Sequence, residues 1–89
     1  MNTIILKTRM QQLMGLMFHR KPTIAILQFN RPTLVGIHTW FMFYAIDIYF
    51  FDNNDNIVET KKNLKPFSHY NPKNKAKYIM EIPTYEQNN

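Results

Sequence analysis

Apolar and β-branched side chains fill TIILK at residues 3–7 without the spacing of a helix, and this short run reads as an opening strand. From Thr8 the pattern changes. Met10, Leu13, Met14 and Met17 recur at intervals of three and four, which predicts one helix face packed as core, with Thr8 as N-cap and Gly15 placed to end it. TIAILQF at 23–29 predicts a second strand, and Asn30-Arg31-Pro32 predicts the turn after it. Residues 34–43 and 45–52 carry apolar side chains at both parities, the pattern of strands covered on both faces, so both stretches read as central strands. DNNDN at 52–56 reads as a hairpin turn, because Asn and Asp tolerate left-handed backbone, and IVETKK at 57–62 is its returning arm. A connection with two prolines leads into AKYIMEIP at 76–83. There Ala76, Tyr78, Met80 and Ile82 alternate with Lys77, Ile79 and Glu81, a last strand with one wet or half-wet face.

The pattern therefore contains one helix and is otherwise β. With 89 residues it forms a single domain, 1–89, with a core from 3 to 83 and a polar tail, 84–89, expected to be disordered. An apolar content of 45% with 15% aromatics is ample for a packed core. There is no cysteine, which excludes disulfides, thiolate nucleophiles and zinc–thiolate sites and suits a reducing, cytoplasmic setting. The apolar start is too short for the core of a secretory signal. Asp47 interrupts the longest apolar run well before the roughly 20 residues a bilayer-crossing helix needs, so no membrane span is expected.

Four stretches resemble one family, the uncharacterised domain of unknown function 192. GLMFHR at 15–20 is similar to its GLMFR-type element, and IHTWFMFYAIDIYFFD at 37–52 to its IHMFFVFFPIDVIFLD-type core. LKPFSHYNP at 64–72 is similar to its LKP-aromatic-x-x-Tyr-x-Pro segment, and AKYIMEIP to its AKYVIELP-type strand. The departures are His19 ahead of Arg20 where the family has one Arg, Ala45 in place of Pro, and Asp55 in place of Gly. The resemblance implies an α+β, mostly β domain: a small barrel-like or strongly curved antiparallel sheet with one short N-terminal helix. It brings no assigned biochemical function. Relatives continue past the ELP-type strand, so the last strand here is expected to leave an unpaired sheet edge through which two copies could pair.

Candidate chemistry starts from Asp47, since an isolated ionised carboxylate among apolar neighbours is costly unless it is paired or hydrogen-bonded. Arg20, His38 and Lys65 are the candidate partners, and with Asp47 they form the candidate ligand pocket or buried polar anchor. Three readings stand open for Asp47: an anchor of strand register, a polar group facing a ligand, and a catalytic acid or base. No nucleophile or second carboxylate stands at a recognisable spacing, so no catalytic residues are assigned. His38 reads as a satisfied core histidine. Histidines 19, 38 and 69 lack zinc spacing and the 52–59 stretch lacks the layout of a calcium loop, so neither metal nor cofactor is expected. The net charge is +5, and Lys61, Lys62, Lys73, Lys75 and Lys77 with interleaved aromatics form a candidate polyanion surface, against the plainer reading of a solvated lysine face. The function expected is that of a small non-catalytic binding module for a small ligand or a protein partner. The alternative is RNA binding through residues 61–77.

Overall fold

Thr8 and Gln11 cap each other at the start of the helix: the Thr8 hydroxyl accepts from the Gln11 N–H at 3.1 Å, and the Gln11 side chain accepts from the Thr8 N–H at 3.2 Å. In the computed structural model, which describes residues 1–84, this box opens α1 (Arg9–Met14), and Gly15 ends it with a φ of 50°. Six residues are too few to hold a helix alone. Gln12 clips it down by donating to the carbonyls of Leu6 at 3.1 Å and Gln28 at 2.8 Å.

The helix carries the chain from β1 (Asn2–Leu6) to β2 (Thr23–Thr33), which therefore run parallel. The remaining strands are β3 (Ile37–His38), β4 (Ile46–Phe51), β5 (Ile57–Leu64), β6 (His69–Tyr70) and β7 (Ala76–Pro83). Five of them make one mixed sheet in the order β1-β2-β7-β4-β5, and β3 pairs with β6 in a separate two-stranded ribbon. The sheet is strongly curved but open, rather than closed into a barrel, and one of its four pairings is parallel rather than antiparallel. No described helix is long and apolar enough to cross a membrane.

On the inner face, Ala25 and Leu27 of β2, Ile79 of β7 and Ile46, Ile48 and Phe50 of β4 are buried side by side. Burying each large side chain stabilises the fold by about 1.5–3 kcal/mol. The register Ala25↔Glu81↔Ile48 sets Glu81 among them, on the central strand of the sheet.

Three expectations are corrected. β7 is not an edge, since β2 and β4 pair with it on either side; the edges are β1 and β5. Asn30-Arg31-Pro32 is no turn, because β2 passes through it by an irregularity between Gln28 and Thr33 that absorbs the proline's missing N–H. Of residues 34–43 only Ile37–His38 is a strand. The fully buried Thr39 ties the rest to the loop at 65–68: its hydroxyl donates to the Lys65 carbonyl at 2.6 Å and accepts from the Ser68 N–H at 2.9 Å. Within the expected tail, Thr84 is bonded to Ala45 and Asp47, and the rest of that tail lies outside the described residues.

Asp47 holds the β4–β5 register. Ile46 pairs with Leu64 but Ile48 pairs with Lys61, so two residues, Lys62 and Asn63, face Asp47 in a bulge, and Asn63 takes a left-handed φ of 53°. One Asp47 oxygen accepts from the Asn63 N–H and from the Thr84 hydroxyl, both at 2.8 Å, while the other faces the Lys62 ammonium at 3.5 Å. Lys62, not Arg20, His38 or Lys65, is thus its cationic partner, because the bulge turns Lys62 toward it. Asp47→Ala orphans the bulge N–H and is expected to lower stability by about 2–3 kcal/mol in urea unfolding. Asp47→Asn, which keeps an accepting oxygen, should lose no more than about half of that.

Candidate functional site

The apolar stripe of α1 is not buried. Met10 and Leu13 are 68% and 61% exposed, and with Met14 they overhang a cavity of about 350 Å³ instead of packing into the core. The cavity lies between α1 with the turn after it, β2, and the segment from Thr33 to Met42. Leu16, Leu27, Ile37 and Met42 form its apolar wall, and Glu81 is the one acidic residue that reaches it. Four methionines in the lining, at 10, 14, 17 and 42, give it a pliable surface.

Glu81 is 4% exposed and has no hydrogen-bond partner among the described residues. Burial pushes its carboxyl up to about 8, so at neutral pH it carries a proton. Burial also raises the Tyr44 phenol, against the opposing hydrogen bond from Thr23, and the nearby Glu81 adds to the rise. His38 stands at the edge of the cavity. Its Nδ1 accepts from the Trp40 N–H at 3.2 Å, which leaves Nε2 to donate to the Leu13 carbonyl at 2.8 Å and fixes the neutral tautomer. That bond pins the end of α1 to β3.

Of the four residues first selected for a pocket, only His38 lines this cavity. Asp47 alternates with the inner-facing Ile46 and Ile48 and so lies on the opposite face of the sheet. Arg20 is exposed, its guanidinium 5.1 Å from the Phe43 ring, and lines a different, shallow groove. Lys65 points its side chain to solvent and contributes its carbonyl to Thr39. The five lysines do not converge either. Lys61 lies over the Tyr70 ring, while Lys62 turns to Asp47 and to the Tyr49 hydroxyl at 2.6 Å. Lys77 donates to the Phe29 carbonyl at 2.5 Å, and Lys73 and Lys75 are exposed. Among the described residues no three His, Asp or Glu side chains come close enough together to hold a metal ion.

Glu81 escaped the sequence reading because β7 looked like a terminal strand, where an acidic residue marks the wet face. Ile79 and Pro83 at the same parity were the available signal: they put Glu81 on an apolar face once the strand is central.

A family model, DUF192, described as Uncharacterized ACR, matches residues 1–87. A UPF0127 protein of Pyrococcus horikoshii is 41% identical over 73 residues, covering 79% of this chain and 62% of its own length. Its counterpart in Pyrococcus furiosus is 40% identical over 76 residues, covering 82% and 64%. The chain thus spans a little under two thirds of these relatives. The crystal structure of a protein of unknown function from Novosphingobium aromaticivorans has the same fold, with a TM-score of 0.84 at 19% identity, over 91% of this chain and 61% of that one.

The carboxyls set opposite pH limits. Glu81 lies above its ordinary value of 4.5, so its contribution to stability is whole below that value and is lost as pH rises toward about 8. Glu59 lies below its ordinary value: burial alone would raise it, but hydrogen bonds from Tyr70, Asn74 and Lys73 outweigh that, and its contribution is lost only as pH falls below the usual carboxylate range. Thermal melts should therefore show stability falling between about pH 4.5 and 8. Glu81→Gln is expected to flatten that alkaline side and leave the acid side unchanged.

Proposed function

The chain belongs to the DUF192 family, and from that premise we propose that it is a small binding module whose ligand enters the cavity beneath α1 and meets Glu81. The observation that carries this reading is an inward-facing carboxyl on a residue 4% exposed, with no hydrogen-bond partner among the described residues, at the wall of a mostly apolar cavity that Arg9, Gln12 and His38 also line. The Glu81 carboxyl opens onto the cavity rather than being sealed in the core, so a molecule in the cavity can reach it. A bound molecule can complete its hydrogen bonds there. The volume is at the low end of the roughly 300–1,000 Å³ typical of small-ligand sites.

A protonated carboxyl both donates and accepts, so it suits an alcohol, a primary amide or an undissociated acid. The methionine, leucine and isoleucine lining suits a short hydrocarbon body behind that group. This is a binding role rather than a catalytic one, and the cysteine-free chain suits the cytoplasm.

Methionine-methyl NMR tests the reading directly, with octanamide and 1-octanol as probes. The methyl signals of Met10, Met14, Met17 and Met42 should shift on titration. Those of Met80, on the opposite face of the sheet, and of Met1 should stay in place, and Glu81→Leu should weaken binding at least tenfold. Uniform shifts of all six methyls, or none, would contradict the proposal.

A further inference from the structure

Three separate loops bring a phenylalanine to one exposed spot, each with a backbone conformation that a bulky residue rarely adopts. Phe18, Phe41 and Phe67 have φ of 65°, 60° and 59°. Their side chains are nonetheless 58%, 46% and 65% exposed. The Phe18 and Phe41 rings stack with centroids 5.2 Å apart and planes 22° apart, and Phe67 meets Phe41 edge-on at 5.6 Å. The loops beneath are tied together: the Phe18 N–H donates to the Phe41 carbonyl and the Phe67 N–H to the Thr39 carbonyl, both at 2.9 Å. Strained backbone that is held this firmly, and that turns aromatic rings outward, is a feature of binding surfaces.

What lies beside the rings decides the partner. Phe18 also lines a shallow groove with His19, Arg20 and Lys21, and the Nδ1 of His19 is buried there without a hydrogen-bond partner. No acidic residue occurs anywhere in residues 1–46, so nothing from this half of the chain neutralises the groove. Planar rings next to an unneutralised basic groove complement a chain of planar groups joined by anions. We propose that this surface binds single-stranded nucleic acid, with bases stacked on the phenylalanines and the phosphate backbone in the His19–Lys21 groove. It is a different surface from the lysines of residues 61–77, and none of its residues lines the cavity.

Fluorescence anisotropy with a labelled 12-nucleotide oligouridylate tests it. Each stacked base is worth a factor of about 10 or more in affinity. A variant carrying Phe18→Gly, Phe41→Gly and Phe67→Gly should therefore bind at least tenfold more weakly, while its Tm holds or rises because glycine accepts positive φ. Arg20→Gln with Lys21→Gln should weaken binding and make its salt dependence shallower, by about 1.4 in the log–log slope for two phosphate contacts. Lys73→Gln with Lys75→Gln should leave binding unchanged, and a 12-base-pair duplex should bind more weakly than the single strand. The proposal is overturned by no binding, by binding that both the glycine and the groove variants leave intact, or by equal binding of the duplex. Binding to phosphatidylglycerol vesicles without binding to the oligonucleotide would overturn it in favour of a membrane surface.

Discussion

A carboxyl on the central strand, facing inward, limits what the rest of the domain can do. Ionised and unpaired among Ala25, Ile48 and the cavity wall, Glu81 would be costly to keep, so the side chain stays neutral at pH 7. The curved sheet wraps that position. α1 with the following turn and the 33–42 segment form a cover over it that does not fully close. The open volume lies where the helix's apolar stripe has nothing of its own chain to rest on.

The other described carboxylates serve the backbone. Asp47 accepts from the N–H of the β5 bulge, and Asp52 from the N–H groups of Asn54 and Asn56 in the hairpin, which lower its acidity range. Glu59 accepts from Tyr70 and from the N–H groups of Lys73 and Asn74, and Asp55 from the Tyr78 hydroxyl. Asp47, Asp52 and Glu59 thus supply acceptors to backbone N–H groups at a bulge, a hairpin and a loop, and Asp55 ties the hairpin to β7. Among the described residues only Glu81 has no such duty, and that contrast is why the cavity stands out as the place for a ligand.

Local signals in the sequence read well where neighbours along the chain decide the structure. The Thr8 cap, the Gly15 stop, the 52–56 hairpin and the strands at 23–29, 46–51, 57–62 and 76–83 depend on side-chain alternation and turn chemistry within a few residues. The alternation pattern gives the mostly β class, and the family resemblance adds the curved, barrel-like arrangement. What depends on distant partners did not read. The aromatic-rich 34–43 segment has the composition of a central strand, yet it becomes a loop because Thr39 finds its hydrogen bonds 26 to 29 residues away. Asp47 could be recognised as needing a partner, but Lys62 faces it only through a bulge that composition does not announce. The spacing of the helix methionines predicts core, and that spacing is the same for a helix lying over a cavity as for one pressed into a filled interior.

The most direct test of the account is the titration of the Glu81 side-chain carbon, followed by carboxyl-detected NMR on glutamate-labelled protein with Glu81→Gln for assignment. A midpoint near 8 is predicted, with the neutral form dominant at pH 7. A midpoint near 4.5 would mean that water or a cation stabilises the ionised carboxyl, and the neutral, unpartnered carboxyl on which the functional proposal rests would then be wrong.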